Sequence, residues 1–373
     1  TRYKLVTGVQ TCALPIYGSE PTKSPRRHTG LVLLSAAILL GTLAMLIFPA
    51  PYVIERPGPA FNVLGKQDGK SVITLAGTPS YPTSGELDLL TVSLVGNREQ
   101  TPTWPEIIAA WLDPAQTVTP LDEVYPVGTT VQESQAESVA MMEQSQQNAI
   151  YVALAKLGYK IPVHIYAQQV NKNSPSSGKI VAGDYIEAID GTHPKDYEEL
   201  KKLVGSFDGT NPLKVTVTRS GEKKIFEITP VKNQDGDYKL GVIVGFKFDF
   251  PVKVDLQLSD VGGPSGGMIF ALGIYDSLTK GALLGGAHIA GTGTIGTDGN
   301  VGPIGGIRQK LFTAQRAGAK YFLAPAENCT EVNGHIPSGI QVFRVKNFDE
   351  ALTAVTAIGS KSDLSKLATC ASK

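Results

Sequence analysis

The stretch DVGGPSGGMIFALGIYDSL, from Asp260 to Leu278, places a serine among glycines directly before an apolar segment. The apolar positions of that segment recur at helical spacing: Met268, Ala271, Leu272, Tyr275 and Leu278. Ser265 is therefore predicted at a helix N-terminus, where free backbone N–H groups and the helix dipole favour negative charge. Such a serine is either an N-cap or a nucleophile whose attack on a carbonyl creates an oxyanion beside those groups.

A second stretch, VGPIGGIRQKLFTAQRAGAKYFLAP from Val301 to Pro325, favours the nucleophile. Its apolar and small residues form one stripe of a predicted helix: Ile307, Leu311, Ala314 and Gly318. Lys310 shares this face because it lies three residues after Ile307 and four before Ala314. Arg308 faces another direction. A lysine that faces the interior loses hydration, which lowers its pKa and lets the neutral amine act as a base.

Three motifs together resemble the proteolytic domain of Lon proteases: GPSGG at 263–267, TGT at 292–294 and PIGGIRQK at 303–310. The resemblance implies that Ser265 is the nucleophile and Lys310 the catalytic base. It further implies that Thr292 steadies the lysine. The implied activity is that of a serine endopeptidase with a Ser-Lys dyad, acting on polypeptide substrates.

Gly263 and Pro264 receive a supporting role from the same resemblance. Backbone N–H groups from Gly263 to Ser265 are expected to hold the oxyanion of the tetrahedral intermediate. Gly262 departs from the pattern, because Lon proteases commonly carry an aspartate just before Gly-Pro-Ser. Asp260 lies two residues upstream of that position.

An earlier segment extends the resemblance. The sequence MMEQSQQNAIYVALAKLG at 141–158 is similar to the first helix of the Lon proteolytic domain, and the absence of Gly and Pro predicts a helix over 134–157. About ninety residues then precede the strand that leads to Ser265. They resemble a PDZ domain through LGY at 157–159, SP-x-x-G at 174–178 and GDYIEAIDG at 183–191. The predicted fold class is α+β: a Lon-type proteolytic domain with an inserted PDZ-like domain, preceded by one transmembrane helix.

The PDZ-like segment implies a peptide ligand. In PDZ domains the loop before a strand offers N–H groups to a peptide terminus, and the peptide then pairs with that strand. LGY at 157–159 is predicted to be this loop, although it is shorter than the usual Gly-Leu-Gly-Phe. Alternatively, the module only spaces or gates the catalytic part.

The N-terminal region predicts membrane insertion. An uncharged apolar run extends from Leu31 to Phe48, long enough to nearly cross a hydrocarbon layer of roughly 30 Å, and basic residues precede it. We interpret it as an uncleaved signal anchor with the catalytic part outside the cytoplasmic membrane; a cleaved signal peptide is the alternative. The segment VTGVQTCALPI at 6–16 resembles the translation of a sequencing adapter, so residues 1–16 are interpreted as an artefact.

The predicted organisation follows from these segments. In chain order it comprises the artefact at 1–16, a short cytoplasmic tail at 17–30, the transmembrane signal anchor at 31–48, an N-terminal part of the Lon-like region at 52–157, the PDZ-like domain at 158–245, the Lon-like proteolytic core at 246–358 and a C-terminal tail at 359–373. A ring of identical subunits is expected from the resemblance to Lon-type domains.

Four further elements are predicted from hydrophobic periodicity. VITLAG and ELDLLTVSLVG, within 71–96, indicate two strands joined by a turn-rich connection. Apolar residues at helical spacing predict a short helix from Trp104 to Leu112, with Trp104 and Trp111 in the core. Strict alternation from Val252 to Leu258 predicts a half-buried strand.

Composition excludes several classes. Lys+Arg and Asp+Glu both total 34, so no strong positive field is available for binding nucleic acid. The histidines at 28, 164, 193, 288 and 335 are scattered and form no metal-binding motif, and no phosphate-binding G-x-x-x-x-G-K-[ST] loop is present. We therefore expect no metal, no cofactor and no use of ATP. Cys329 and Cys370 are predicted to form a disulfide outside the cytoplasm, with two free thiols as the alternative.

Two rival functions remain at this stage. Gly263-x-Ser265-x-Gly267 also fits the nucleophile elbow of an esterase, with Asp298 and His335 as partners. A protein of a different kind, an envelope scaffold that uses its PDZ surface and keeps a vestigial protease site, would lack activity altogether.

Overall fold

The computed structural model describes residues 25–195, 197–233, 236–258 and 261–370, without the side chains of 25–28, 44–47 and 198. The predicted artefact at 1–16, most of the predicted tail at 17–30 and Asp260 lie outside the described residues. The helices are α1 Pro25–Ile47, α2 Trp104–Leu112, α3 Leu121–Val124, α4 Val131–Lys156, α5 Tyr197–Gly205, α6 Gly267–Leu278, α7 Ile307–Ala317, α8 Cys329–Val332 and α9 Phe348–Gly359.

The described strands fall into two large sheets, three short hairpins and one two-stranded pairing between segments that are distant in sequence. In chain order they are β1 Tyr52–Asn62, β2 Lys66–Gln67, β3 Lys70–Ser71, β4 Ile73–Ala76, β5 Glu86–Val95, β6 Thr117–Pro120, β7 Val163–Val170, β8 Tyr185–Ile189, β9 Leu213–Arg219, β10 Glu222–Ile228, β11 Val231–Lys232, β12 Tyr238–Lys239, β13 Val242–Phe248, β14 Lys253–Leu256, β15 His288–Gly291, β16 Thr294–Ile295, β17 Val301–Gly302, β18 Tyr321–Pro325 and β19 Gln341–Val345. The predicted helix at 104–112 and the strands of VITLAG and ELDLLTVSLVG are confirmed.

A six-stranded sheet joins the two ends of the chain in the order β19-β18-β15-β5-β1-β6. Strands β5, β15, β18 and β19 are parallel, whereas β1 is antiparallel to both β5 and β6. The fold is therefore mixed α/β, so the predicted α+β class is confirmed only in this coarser form. Because β1, β5 and β6 come from the segment at 52–157, that segment and the predicted core at 246–358 share one sheet.

Strand β1 was missed by sequence reasoning because Pro57, Gly58 and Pro59 interrupt it. The strand tolerates them at a register irregularity between Pro57 and Ala60, where the ladder to β5 is broken. A Cβ on Gly58 would lie 2.5 Å from Thr91 Oγ1 on β5, so only glycine allows this close approach.

Helix α6 forms the centre of the unit that contains the six-stranded sheet. Its residues from Gly267 to Ile274 are buried, and α4 packs along it. Helix α4 is 26 residues long and begins with a capping box in which Thr130 and Glu133 bond each other's backbone. It includes the helix predicted at 134–157 except for Leu157, which forms its C-cap.

The PDZ-like segment forms an antiparallel sheet of its own, in the order β10-β9-β8-β7-β13. Its separate core includes Ile165, Val215, Val217 and Ile228, with α5 covering one side. The predicted boundary at 245 falls inside β13, which continues to Phe248.

The predicted peptide-binding strand is wrong. The strand that follows LGY at 157–159 is β7, which lies between β13 and β8 and is paired on both sides. An inner strand has no unpaired edge for an added peptide. The free edges of this sheet belong to β13 and β10.

The prediction that both tryptophans of α2 are in the core is wrong for Trp111, which is 60% exposed. The buried face of α2 is centred on Ile107 and Ala110. Trp111 directly follows Ala110 and thus lies about 100° around the helix from it. Trp104 is half-buried and contacts Tyr52 edge to face.

The described part of the predicted C-terminal tail, from Ser360 to Cys370, is attached to the rest of the fold. Cys370 is buried and forms the predicted disulfide with Cys329, and Thr369 bridges Phe343 of the outer strand β19. The disulfide closes a loop with a sequence separation of 41. In the chain-entropy model such a loop contributes roughly 4 kcal/mol to the free energy of unfolding.

The predicted anchor at 31–48 overlaps α1, whose described side chains are exposed, Leu31 and Leu39 among them. Across the part of the chain that the structure describes, no helix combines the length and apolar character needed to cross a membrane. The transmembrane segment is therefore not confirmed and stays a prediction.

Candidate active site

Three segments that are distant in sequence converge on one point. Ser265 lies in the turn directly before α6, Thr292 follows the carboxyl end of β15, and Lys310 lies in the first turn of α7. The backbone joins the first two segments, because the Gly293 N–H donates to the Ser265 carbonyl oxygen at 2.8 Å.

The side chains of these three residues form a closed set of contacts. Lys310 Nζ lies 2.8 Å from Ser265 Oγ and 3.0 Å from Thr292 Oγ1. Thr292 donates its hydroxyl proton to the Ser265 carbonyl oxygen at 3.0 Å, so its oxygen is left to accept from the lysine. This arrangement orients the lone pair of a neutral lysine toward the serine hydroxyl.

Burial determines the charge of Lys310. The residue is only 3% exposed, and this desolvation lowers the pKa of its amine to about 7. Thr292 is buried as well, whereas Ser265 is partly exposed and accessible from a cleft. Around neutral pH a large fraction of the amine is unprotonated, and it lies within hydrogen-bonding distance of the serine.

The N-cap interpretation of Ser265 is not supported. The N-cap position of α6 is Gly266, and no side chain caps the helix. The Ser265 hydroxyl instead meets Lys310.

The predicted oxyanion donors need correction. The Gly263 N–H donates to the Ser138 carbonyl oxygen at 2.8 Å, and Pro264 has no N–H at all. Of the three predicted positions, only Ser265 has a backbone N–H that donates to no backbone carbonyl among the described residues. The N–H of the next residue, Gly266, likewise donates to no backbone carbonyl among the described residues.

Helix α4 supports this loop through two residues that sequence reasoning missed. Ser145 is buried and donates to the Pro264 carbonyl oxygen at 2.8 Å, and Ser138 accepts from Gly263. The two serines are seven residues apart and therefore lie on one face of the helix. Only Ser145 acts through its side chain; the Ser138 contact is made by its backbone carbonyl oxygen, so no residue pattern in the sequence marked this pair.

Two cavities adjoin the serine loop. A cleft of about 610 Å³ is lined by Ser265 and Lys310, by β5 residues and by Gly305 and Gly306. A larger one, about 800 Å³, lies between α4 and the PDZ-like sheet and reaches Pro264. The first is open to the dyad itself, so it is the candidate binding site for the scissile bond.

The residues that the esterase alternative requires, Asp298 and His335, form other contacts. Asp298 accepts from the backbone and side chain of Asn300, and His335 contacts the Glu331 carbonyl oxygen. Neither contacts Ser265. Arg308 donates to the Pro114 carbonyl oxygen.

One group among the described residues could hold a metal ion: Glu86, Asp88 and His288. His288 Nε2 lies 2.6 Å from Asp88 Oδ2. These residues lie at the starts of β5 and β15, whereas the Ser265 cleft is lined by the later part of β5, from Thr91 to Leu94.

Comparison with known families agrees with this geometry. Residues 258–357 match the family model of the Lon protease (S16) C-terminal proteolytic domain, which covers Ser265, Thr292 and Lys310. This match covers about a quarter of the chain.

Similar curated proteins include Lon protease from Buchnera aphidicola subsp. Schizaphis graminum, 38% identical over 119 residues, which are 31% of this chain and 15% of that protein. Lon protease from Escherichia coli K12 is 34% identical over 120 residues, again 31% of this chain and 15% of that protein. Lon protease 2 from Bacillus subtilis is 36% identical over 95 residues, 26% of this chain and 17% of that protein. The matches span only about a sixth of these relatives.

Solved structures similar to this chain include the PDZ domain of an SdrC-like protein from Listeria innocua, at 22% identity and a TM-score of 0.21. That match covers 22% of this chain and 92% of the other. A second, from Geobacillus thermodenitrificans, has 27% identity and a TM-score of 0.20, and covers 21% and 94%. TM-scores this low do not establish a shared fold.

Proposed function

We propose that the protein is a serine endopeptidase in which Ser265 is the nucleophile and Lys310 the general base. The observation that carries the proposal is the 2.8 Å contact between the hydroxyl of Ser265 and the amine of Lys310, whose pKa burial lowers to about 7. The match to the Lon proteolytic domain supports it independently. No histidine takes part in this mechanism.

The proposed reaction runs in two halves. Ser265 Oγ attacks the peptide carbonyl carbon while its proton moves to Lys310 Nζ, and the resulting oxyanion is held by the N–H groups of Ser265 and Gly266. Lys310 then donates that proton to the leaving amine as the carbon–nitrogen bond breaks. This step leaves an ester between Ser265 Oγ and the acyl part of the substrate. Lys310 then takes a proton from a water molecule, whose oxygen attacks the ester carbonyl carbon. As the bond from that carbon to Ser265 Oγ breaks, Lys310 returns the proton to Oγ and the acyl part leaves as a carboxylic acid.

Independence from ATP is part of the proposal. The sequence has no phosphate-binding loop of the Walker A type; Leu64 stands where its first glycine would be. Unfolded segments or chain ends would enter the cleft without driven unfolding.

The pH dependence of peptide hydrolysis tests this function. Because only the unprotonated amine can act as base, kcat/KM should rise with pH and reach half its maximum at pH about 7, where Lys310 titrates. The measurement is hydrolysis of an unstructured fluorogenic peptide from pH 5 to 10, with the Ser265→Ala protein as the blank. A half-maximum near pH 10 would contradict the proposal, because the base would then have the pKa of a solvated lysine.

We further propose that the PDZ-like unit binds a peptide along the free edge of β13. Tyr197 of α5 lies beside this strand, with its ring centroid 6.2 Å from that of Phe246. The groove beside them has a volume of about 290 Å³ and continues to Tyr151 of α4 and the loop at 296–298. A peptide held there would lie against the same helix that supports the catalytic loop.

Hydrogen exchange of the Ser265→Ala protein can locate this peptide. Adding an unfolded, alkylated polypeptide should slow amide exchange in β13, because the added strand pairs with its edge. Strand β10, the other edge of the same sheet, serves as the internal control. Slower exchange confined to β10 would show that the peptide binds the other edge of the sheet. Unchanged exchange in both strands would show that it binds neither edge, and either result would contradict the proposal.

The location and assembly of the protein are also proposals. We propose a single-pass protein of the cell membrane with the catalytic part outside, on the basis of the basic flank and the apolar run at 31–48. Cytoplasmic activity of a reporter fused near residue 370 would contradict it.

A homo-oligomeric ring follows from the resemblance to Lon-type domains and is tested by the mass of the purified protein.

A further inference from the structure

A carboxylate lines the cleft that contains the dyad. Glu55 lies on β1, is half-buried, and shares the cleft with Ser265 and Lys310. The Thr119 hydroxyl donates to Glu55 Oε1 at 3.1 Å. No lysine, arginine or histidine among the described residues forms an ion pair with this half-buried carboxyl group.

The position of Glu55 relative to the dyad is given by Gly306. A Cβ built on Gly306 would lie 3.6 Å from Glu55 Oε2, so the carboxylate lies against the N-terminus of α7. The Lys310 N–H donates to the Gly306 carbonyl oxygen at 3.1 Å, one helical turn further on. The four residues from Gly306 to Lys310 correspond to a rise of about 6 Å along the helix. A side chain of a substrate residue close to the scissile bond can span that distance.

The local electrostatics favour a cation. Burial raises the pKa of Glu55, and the carboxylate of Glu331 acts in the same direction. The other ionisable group in the cleft is Lys310, which is neutral when it acts as a base. The remaining lining residues are uncharged, among them Pro59, Thr91 and Val92. A positively charged side chain entering the cleft would therefore meet an unpaired carboxylate and no competing cation.

We propose that Glu55 is a specificity-determining residue that accepts a lysine or arginine side chain of the polypeptide substrate next to the scissile bond. The proposal rests on the proposed endopeptidase function, because the same cleft must hold the substrate backbone against Ser265. A charge-assisted hydrogen bond in a half-buried site would provide the discrimination. Glu55 lies outside the segment that matches the Lon domain, so the preference would be particular to the surroundings of this chain.

Binding and turnover, measured separately, test this. Peptides that differ only in lysine, glutamine or glutamate at one position, scanned across three residues on each side of the expected cleavage point, are bound to the Ser265→Ala full-length protein and followed by fluorescence anisotropy. At one position the lysine peptide should bind roughly tenfold or more tightly than the glutamine peptide. Glu55→Gln in the Ser265→Ala background should abolish this difference, and Glu55→Lys should favour glutamate. Glu222→Gln, on the exposed hairpin between β9 and β10, is the charge-matched control.

The outcomes are distinct. If the lysine preference is absent, or persists in the Glu55→Gln protein, Glu55 does not determine specificity, whether or not the wild-type enzyme cleaves peptides. If the preference depends on Glu55 but the wild-type protein cleaves none of the peptides, the binding site stands and the endopeptidase function fails.

Discussion

Replacing Ser265 with alanine or Lys310 with arginine is expected to lower the rate of peptide hydrolysis by roughly 10³-fold or more. Alanine removes the nucleophile. Arginine has a similar length, but its guanidinium does not release a proton in the accessible pH range, so it cannot take the proton of Ser265. The double variant should lose little more activity than either single variant, because the two residues act as a unit.

Fluorogenic peptide turnover at pH 8, with folding checked by circular dichroism, measures this effect. The matched control is Arg308→Lys, two residues away on the same helix, where the side chain donates to Pro114 and not to the serine. It should retain most of the activity. An active Lys310→Arg protein together with an inactive Arg308→Ala protein would show that the base has been misassigned.

Lys310→Met should produce an inactive protein that is more stable than the wild type. Burial lowers the pKa of Lys310 from 10.5 to about 7, so folding must remove a proton that the unfolded chain retains. At about 1.36 kcal/mol per pKa unit this costs on the order of 4 kcal/mol at neutral pH. Methionine fills a similar volume without that cost. After the lost contacts with Ser265 and Thr292, we expect a gain of about 2 kcal/mol in the free energy of unfolding.

The sign of the pH dependence distinguishes this explanation from improved packing. Between pH 7 and 10.5 the unfolded wild-type chain binds the Lys310 proton and the folded chain does not, so wild-type stability rises with pH. The advantage of methionine should therefore shrink toward pH 10.5. Both tryptophans lie on α2, so their fluorescence during denaturant unfolding reports on the unit that contains the six-stranded sheet. An advantage that stays constant with pH would attribute the gain to packing.

Local patterns in the sequence predicted two of the three residues that meet at the candidate site. The glycines around Ser265 and the apolar spacing after it predicted a serine just before α6, and the face shared by Ile307, Lys310 and Ala314 predicted a buried lysine. Both patterns depend on short-range periodicity, in which helix geometry fixes which residues share a face. Thr292 followed only from the resemblance to Lon proteases, since no local pattern marks a threonine after a strand.

Long-range pairing decided the rest. The free edge at β13 and the inner position of β7 depend on strand order, which the sequence of a single strand does not specify. Three features of the site each involve segments more than a hundred residues apart. The Gly263 N–H donates to Ser138, Ser145 donates to Pro264, and Glu55 lies in the cleft beside Ser265. Hydrogen bonds and clefts of this kind arise only when the chain has folded, because their partners share no spacing in the sequence.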